Sequence, residues 1–178
     1  GHLTDKPIES ARWNVPITVL PDQDSAGRTW LSTGRWNIKP VKPRLGAEGQ
    51  KIVFLTGGGA ISYAESCMGI VENYKLGEIV GEPTAGTNGN VNPFSLPGGY
   101  SISWTGMKVL KHDKSRHHGV GIQPKVPVRP PVEGIRAGRD EVLDAGVKAA
   151  SGGWYRETGS GMGAPLNTGV GMGAYVLA

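Results

Sequence analysis

The chain has 178 residues, with 19 Lys and Arg against 15 Asp and Glu, which gives a formal net charge of +4. That length supports one domain with a hydrophobic core, and 38% hydrophobic with 19% charged residues is typical of a soluble globular protein. No apolar run reaches the roughly 20 residues needed to cross a bilayer, and the single cysteine, Cys67, excludes an intrachain disulfide.

Basic residues are densest between positions 108 and 116. A nucleic-acid site usually combines such charges with stacking aromatic residues or a recognisable motif. Trp104 is the one aromatic residue nearby, so the pattern favours a solvated hairpin face and predicts no nucleic-acid partner. The 29 glycines and 13 prolines indicate a loop-rich fold that contains β-structure.

The first 46 residues are predicted to form a connector with part of a strand. Residues 17–20 alternate in polarity before a turn at Pro21, which predicts one strand. Residues 39–44 contain Pro40 and Pro43, which disfavour a central strand and favour an extended surface connector. The composition changes at Gly46, where the regular part of the chain is expected to begin.

The middle of the chain predicts a βαβ unit. Residues 51–56 include a short apolar run bounded by Gly57-Gly58-Gly59, which is typical of a buried strand. Apolar residues then recur at helical spacing over residues 62–74, with Cys67 on the predicted buried face, and residues 77–80 predict a second strand. A strand, a helix and a strand within about thirty residues imply a right-handed crossover and a parallel pair.

Further strands and a closing helix are predicted downstream. Strands are expected at residues 91–96, 100–105 and 107–110, with extended structure at residues 120–128. A helix is expected to begin after its N-cap Asp140, with Val142, Leu143 and Val147 as the apolar face. The glycine-rich residues 151–178 predict a tail or a loosely ordered extension.

Ser62, at the start of the predicted helix, admits two interpretations. Ser62-Tyr-Ala-Glu65 has the pattern of a capping box, in which the two side chains satisfy backbone donors of the first helical turn. A hydroxyl on a strand-to-helix turn, beside the unpaired N–H groups of a helix, also suits a nucleophile whose reaction creates an oxyanion. This segment alone leaves both interpretations open.

A series of short motifs follows in the chain. Nineteen residues after Ser62 comes Gly81-Glu-Pro-Thr-Ala-Gly86, then Leu96-Pro-Gly-Gly-Tyr100, Gly121-Ile-Gln-Pro124 and Gly138-Arg-Asp140. In this order they resemble the motifs of the S41 serine peptidases, the tail-specific, C-terminal processing and tricorn-core peptidases. The resemblance implies an α/β fold of the ClpP/crotonase-like type, with stacked βαβ units, a mostly parallel sheet and flanking helices.

The resemblance implies a serine endopeptidase that cleaves unfolded or C-terminal peptide segments by acyl transfer. Ser62 would attack the peptide carbonyl, and the backbone N–H of Tyr63 would stabilise the oxyanion. A second N–H would come from a glycine among Gly57, Gly58 and Gly59 or from a segment absent from this chain. Glu65 would mark the helix start. The polar residues expected to line the substrate cleft are Glu82, Thr84, Thr87 and Asn88.

The general base departs from the pattern of the processing peptidases, which place a lysine where this chain has Thr87. The tricorn branch uses a histidine, but that histidine precedes the serine, where this chain has only His2. We therefore predict that His118 or His117 accepts the Ser62 proton, with His118 ahead of His117. The alternative is that the two histidines form an exposed turn.

Neither a metal nor a cofactor is predicted. No cysteine or carboxylate completes a recognisable zinc-binding spacing with His112, His117 and His118. The expected partner is a peptide or unfolded protein, without nucleic acid and without a membrane span. Family resemblance favours a bacterial extracytoplasmic location, periplasmic or secreted.

Three segments are predicted: a connector with a partial strand at residues 1–46, an S41-like peptidase core at 47–150 and a glycine-rich extension at 151–178. The strand motif with which S41 catalytic domains normally begin is missing, which favours a fragment of a larger peptidase over a homo-oligomer that completes its site across an interface. Two other functions compete. A peptide-binding module would keep the cleft without complete catalytic machinery, and a crotonase-like acyl-CoA enzyme would leave the Ser62 and Gly81 motifs unexplained.

Overall fold

The structure is a computed structural model that describes residues 1–16, 30–42, 45 and 51–151. The strand predicted at residues 17–20, the boundary predicted at Gly46 and residues 152–178 of the predicted extension lie outside the described residues. In chain order the elements are β1 (Ile8–Glu9), β2 (Trp13–Pro16), β3 (Trp30–Gly34), β4 (Asn37–Ile38), β5 (Val53–Thr56), α1 (Tyr63–Tyr74), β6 (Glu78–Gly81), β7 (Val91–Ser95), β8 (Ser101–Thr105), β9 (Lys108–Val109), β10 (Val126–Pro127), α2 (Val132–Arg136) and α3 (Glu141–Ser151).

A three-stranded parallel sheet in the order β10-β6-β5 forms the centre of the fold. Helix α1 connects β5 to β6, and their register runs from Val53 opposite Glu78 to Thr56 opposite Gly81. The predicted βαβ unit is therefore confirmed. Strand β10 pairs in parallel with the other side of β6.

Helix α1 covers one face of this sheet. Its side chains Met68 and Val71 form a buried cluster with Ile79 and Ile122, and Phe54 of β5 packs against that cluster. Because successive residues of a strand point to opposite faces, the neighbours of Phe54 are available to pack on the other side.

Helix α3 lies against that other face, close to β5 and β6. A Cβ atom added at Gly146 would lie 2.5 Å from Leu55 Cδ2, so the absence of a side chain allows α3 to approach the sheet closely. This packing explains a glycine whose cost inside a helix is about 1 kcal/mol relative to alanine. The N-cap prediction for α3 is confirmed, since the Leu143 N–H donates to Asp140 Oδ1 at 2.9 Å.

The prediction that Cys67 lies in the core is wrong, because the residue is exposed. The residues of α1 that are buried are Glu65, Ser66, Met68, Gly69, Ile70 and Val71. The buried face therefore includes two polar side chains of the first turns. Apolar spacing could not place this face correctly, because part of it is occupied by hydrogen-bonded polar groups.

Only Val126–Pro127 of the predicted extended segment 120–128 forms a strand. Gly119 and Gly121 have φ angles of 71° and 69°, a left-handed conformation that a strand cannot contain. The chain therefore turns here before it joins β6, and the prediction of continuous extended structure is wrong.

The described N-terminal residues contain four strands that the sequence did not predict. Strand β2 pairs antiparallel with β3 and also with β9, and β1 pairs antiparallel with β4. The pairing of β2 with β9 joins Trp13 to Val109. Sequence patterns missed these strands because they are short and half-exposed, which weakens the alternation that identifies a strand.

The predicted hairpin of β7 and β8 is present as a two-stranded antiparallel sheet. Every residue of both strands is exposed. Across the described ranges, no helix has both the length and the apolar character needed to cross a membrane.

Candidate active site

The turn before α1 holds Ser62 in a strained and exposed conformation. Its φ and ψ angles are 51° and −109°, a combination that glycine adopts far more readily than residues with a side chain. Such a backbone conformation costs roughly 1–3 kcal/mol and persists only where surrounding contacts impose it. The Ser62 side chain makes no capping hydrogen bond, so the hydroxyl is not what holds the turn.

Backbone hydrogen bonds hold this turn in place. The Ser62 N–H donates to the Thr87 carbonyl at 3.0 Å, and the Ser66 N–H donates to the Ser62 carbonyl at 3.1 Å. The Ala85 N–H donates to the Ala60 carbonyl at 3.1 Å. The loop that follows β6 therefore fixes the turn that follows β5.

Glu65 is the buried anchor of that loop. The residue is 1% exposed, and its Oε1 accepts hydrogen bonds from the Thr84 hydroxyl at 2.7 Å and the Gly86 N–H at 2.6 Å. Its Oε2 accepts a hydrogen bond from the Thr87 N–H at 2.8 Å. The capping-box interpretation is therefore wrong for both Ser62 and Glu65, because the carboxylate binds a loop that is distant in sequence.

The charge state of Glu65 follows from these contacts. Burial is the largest single effect and raises the pKa of this carboxyl, but the hydrogen bonds from Thr84 and Gly86 together with His117 outweigh it. The net result is a pKa below the ordinary value of 4.5. Glu65 is therefore a carboxylate at neutral pH, which suits an acceptor of several N–H and O–H donors.

Thr84 joins Glu65 to the next motif in the series. Its hydroxyl accepts a hydrogen bond from the Ile122 N–H at 2.8 Å, and its own N–H donates to the Ile122 carbonyl at 3.1 Å. A Cβ atom at Gly121 would collide with the Thr84 carbonyl. The motifs that begin at Gly81 and Gly121 are therefore in direct contact beneath the Ser62 turn.

The two candidate bases lie beside this network in different surroundings. His117 is 3% exposed, and its Nε2 lies 3.4 Å from Glu65 Oε2 without a hydrogen bond of good geometry. His118 is half-buried, and its Nε2 accepts a hydrogen bond from the Val109 N–H at 2.9 Å. Burial and neighbouring His117 lower the pKa of His118, which keeps its imidazole neutral near pH 7.

The backbone donors predicted for an oxyanion are accessible. Gly58 and Gly59 are exposed, and a Cβ atom at either would meet no heavy atom within 4 Å. Tyr63 is the first residue of α1, and no acceptor among the described residues contacts its N–H. The Tyr63 N–H, directly after Ser62, can therefore donate to a molecule bound there, and Gly58 and Gly59 are open to solvent.

The predicted cleft residues fall into two pairs. Thr84 and Asn88 are each 4% exposed, and the Asn88 side-chain amide donates to Ser66 Oγ at 3.0 Å, so both stabilise the loop from within. Thr87 is exposed, and Glu82 is half-buried with a carboxylate 3.4 Å from Arg129 Nε. Only Thr87 and Glu82 are therefore open to a substrate in this structure.

A row of aromatic rings beside the serine was not foreseen from sequence. The Tyr63 and Trp36 ring centroids lie 4.9 Å apart, and those of Trp36 and Trp13 lie 5.3 Å apart. No spacing rule connects Trp36 to Tyr63, because the contact depends on how β4 and its neighbours approach α1. In the sequence these three residues are aromatic residues to whose rings no motif gives a role.

Within the described part of the chain, no three His, Cys, Asp or Glu side chains form a group that could hold a metal ion. His112 has a different role from the other two histidines, because its Nε2 lies 2.9 Å from the Glu9 carbonyl oxygen. Its ring also packs edge-on against Tyr74. This histidine therefore links the N-terminal strands to α1.

Comparison with known proteins gives one family and several solved structures. The model of Peptidase family S41 matches residues 37–128, just over half of the chain. A search of the curated proteins finds no match. A candidate peptidase from Parabacteroides merdae ATCC 43184 is similar in structure, with 16% identity and a TM-score of 0.65 over 90% of this chain and 47% of that chain.

Two structures of mature CPAF are also similar. The complex with lactacystin has 16% identity and a TM-score of 0.59, and covers 76% of this chain and 37% of that chain. Mature CPAF without that compound has 17% identity and a TM-score of 0.57, and covers 76% of this chain and 36% of that chain. The α/β architecture is therefore of the predicted ClpP/crotonase-like type, and the chain spans less than half the length of these solved relatives.

Proposed function

Because the chain belongs to peptidase family S41, we propose that it forms the serine-bearing part of a serine endopeptidase, with Ser62 as the nucleophile. The observation that carries the proposal is the exposed Ser62 on a backbone of φ 51° and ψ −109°, with a hydroxyl that makes no capping hydrogen bond. A structural serine gains nothing from this conformation, whereas a nucleophile gains accessibility.

The proposed reaction is acyl transfer. Ser62 Oγ attacks the carbonyl carbon of the scissile peptide bond and gives its proton to a base. The N–H groups of Tyr63 and of Gly58 or Gly59 donate to the oxyanion of the tetrahedral intermediate. The amine product then leaves with a proton, and a water molecule hydrolyses the Ser62 acyl ester.

The buried network supports this role by holding the turn. Glu65 binds the Thr87 N–H, and the Thr87 carbonyl binds the Ser62 N–H. Two hydrogen bonds thus connect a buried carboxylate to the strained residue. The proposed substrates are unfolded or C-terminal peptide segments, for which Thr87 and Glu82 are the accessible polar contacts.

The direct test is covalent labelling of the 178-residue chain with a fluorophosphonate probe. We expect one phosphonyl adduct, mapped by peptide mass spectrometry to Ser62, because this serine is exposed, its hydroxyl makes no capping hydrogen bond and the N–H of Tyr63 follows it directly. Ser66 is the internal control, since its buried hydroxyl already accepts a hydrogen bond from Asn88. An adduct on a different serine would refute the assignment.

Complete lack of labelling would instead favour the second candidate, a peptide-binding module. One observation favours that candidate: the Nε2 atom of His118 is bonded to the Val109 N–H and that of His117 has no hydrogen-bond partner, so neither binds Ser62 Oγ. In that case the cleft would bind peptide segments without cleaving them. An isolated part of a larger peptidase can also fail to label, so the binding module is supported only when lack of labelling is accompanied by measured peptide binding.

The base stays a prediction with its own test. His118 can act only if its Nε2 exchanges the Val109 N–H for the Ser62 hydroxyl, whereas the Nε2 of His117 lies against the Glu65 carboxylate. A general base contributes about 10²- to 10⁴-fold, so we expect the His118→Ala variant to label at least about 100-fold more slowly. His117→Ala is the matched comparison. Rates within about threefold of wild type in both variants would reject both imidazoles.

A further inference from the structure

The hairpin of β7 and β8 has two chemically different edges. The Leu96 N–H donates to the Tyr100 carbonyl at 2.8 Å, and the Gly106 N–H donates to the Asn90 carbonyl at 3.1 Å. Hydrogen-bonded pairs alternate along an antiparallel ladder, so the 94/102 and 92/104 pairs exchange the inner bonds. The outward N–H and C=O groups therefore belong to residues 91, 93 and 95 on β7 and to 101, 103 and 105 on β8.

Only the β8 edge has its full set of donors. The outward position at the middle of β7 is Pro93, which has no N–H and interrupts a ladder on that side. On β8 the corresponding residues are Ser101, Ser103 and Thr105, each with an N–H and a C=O. Among the described residues no strand pairs with this edge. A long unpaired edge of this kind is a template for another strand.

The side chains of the hairpin make one of its faces apolar. Phe94, Ile102 and Trp104 share that face, and each is about half exposed, at 51%, 51% and 50%. The opposite face of β8 presents small hydroxyl side chains from Ser101, Ser103 and Thr105. Two strands alone are marginally stable in water, and apolar exposure on this scale indicates a binding surface.

Charge narrows the choice of ligand. Residues 83–107, which include the entire hairpin, contain no Asp, Glu, Lys, Arg or His. A nucleic acid or an acidic or basic protein would find no ion pair here. A neutral chain that offers backbone hydrogen bonds and apolar side chains fits both the edge and the face.

The hairpin is also continuous with the Ser62 turn. The chain passes from Thr87, whose carbonyl accepts the Ser62 N–H, through three residues to Val91 at the start of β7. Val91 is opposite Thr105, the last residue of β8. A strand paired along β8 therefore has one end beside the part of the hairpin that adjoins the proposed nucleophile.

We infer that the open edge of β8 binds an extended, uncharged peptide segment as a third strand, with apolar side chains of the peptide over Ile102 and Trp104. Its backbone exchanges hydrogen bonds with Ser101, Ser103 and Thr105. Identification of this peptide with the substrate rests on the proposed peptidase function. The binding itself follows from the hairpin and does not require Ser62 to react.

The test uses the full chain with Ser62→Ala, so that no cleavage occurs, and a fluorescein-labelled heptapeptide of alternating Val and Thr with blocked ends. Ser103→Pro gives β8 the same interruption that Pro93 gives β7, while every bond inside the hairpin is kept. Fluorescence anisotropy should show about tenfold weaker binding, because one backbone hydrogen bond is lost and its partner is left unpaired. Ser103→Thr is the matched control and should bind within about twofold of the parent.

A second measurement does not depend on how well the proline variant folds. N-methylation of every second amide removes the N–H donors along one edge of the same heptapeptide. Two such peptides exist, one for each edge, and one of them should bind at least about tenfold more weakly than the unmodified peptide. Equal binding of all these forms would overturn the inference. So would a parent dimer, seen by sedimentation, that Ser103→Pro converts to monomers, because a second copy would then occupy the edge. Peptide binding without fluorophosphonate labelling would refute only the proposed function.

Discussion

A Ser62→Gly variant is expected to lose fluorophosphonate labelling and also to be more stable than the wild-type chain. Labelling is lost because the hydroxyl is removed, and a comparable loss of nucleophile in a serine peptidase costs about 10⁶-fold in turnover. Stability should rise by about 1 kcal/mol, since glycine adopts φ 51° and ψ −109° without steric cost and its larger unfolded-state entropy offsets part of that relief. Urea denaturation with linear extrapolation measures the change.

Lys75→Gly is the matched control for this prediction. Lys75 is the C-cap of α1, with φ 52° and ψ 46°, and its N–H donates to the Val71 carbonyl. Glycine is preferred at such a left-handed position, so we expect a similar gain of about 1 kcal/mol with unchanged labelling of Ser62. A Ser62→Gly variant less stable than wild type would mean that the serine side chain stabilises the turn, and the argument from strain would fail.

Glu65→Ala is expected to produce the largest loss of stability, about 3–5 kcal/mol. The substitution leaves three donors without an acceptor: the buried Thr84 hydroxyl and Gly86 N–H, and the partly buried Thr87 N–H. Glu65→Gln keeps the size and one carbonyl oxygen, so we expect a smaller loss of about 1–3 kcal/mol. Chemical denaturation of both variants at pH 7 tests the order. An alanine variant as stable as wild type would show that the network is not formed in solution.

The pH dependence gives a second readout that a packing defect would not produce. The pKa of Glu65 is lowered in the folded state, so its contribution to the free energy of unfolding is fully present above the unfolded-state value near 4.5. That contribution is lost as the pH falls through the lower folded-state pKa. Glu65→Gln should therefore show a shallower decline in stability below about pH 4.5 than wild type. Parallel acid profiles for the two proteins would contradict this account.

The local parts of the fold could be derived from sequence. The βαβ unit was evident in the apolar run after Lys51 and the helical spacing after Ser62, because the period of apolar residues reflects which face of an element is buried. The Asp140 cap was evident for the same local reason, since its partner lies three residues away. The motif series was sufficient to indicate the S41 family, because the order and spacing of short motifs can be read directly from the sequence.

The contacts that organise the site were decided by the tertiary structure. Glu65 had a plausible local partner in a capping box, but its carboxylate binds Thr84, Gly86 and Thr87, which are 19 to 22 residues away. The exposure of Cys67 follows from the same choice, because the polar anchor takes part of the buried face of α1. A local sequence pattern reflects interactions between residues that are close in the chain. Which of two hydrogen-bonding partners a side chain binds can be decided only when the fold has brought both within reach.

Ser62 shows both limits in one residue. The sequence identified it as the candidate nucleophile, through its position at a helix start and the resemblance of the motifs around it to those of the S41 peptidases. Only the folded chain shows that its hydroxyl is released from capping and its backbone is forced to a positive φ. That strain is imposed by hydrogen bonds to the loop that follows β6. It could not be predicted from residues 57–65 alone, because that loop is distant in sequence.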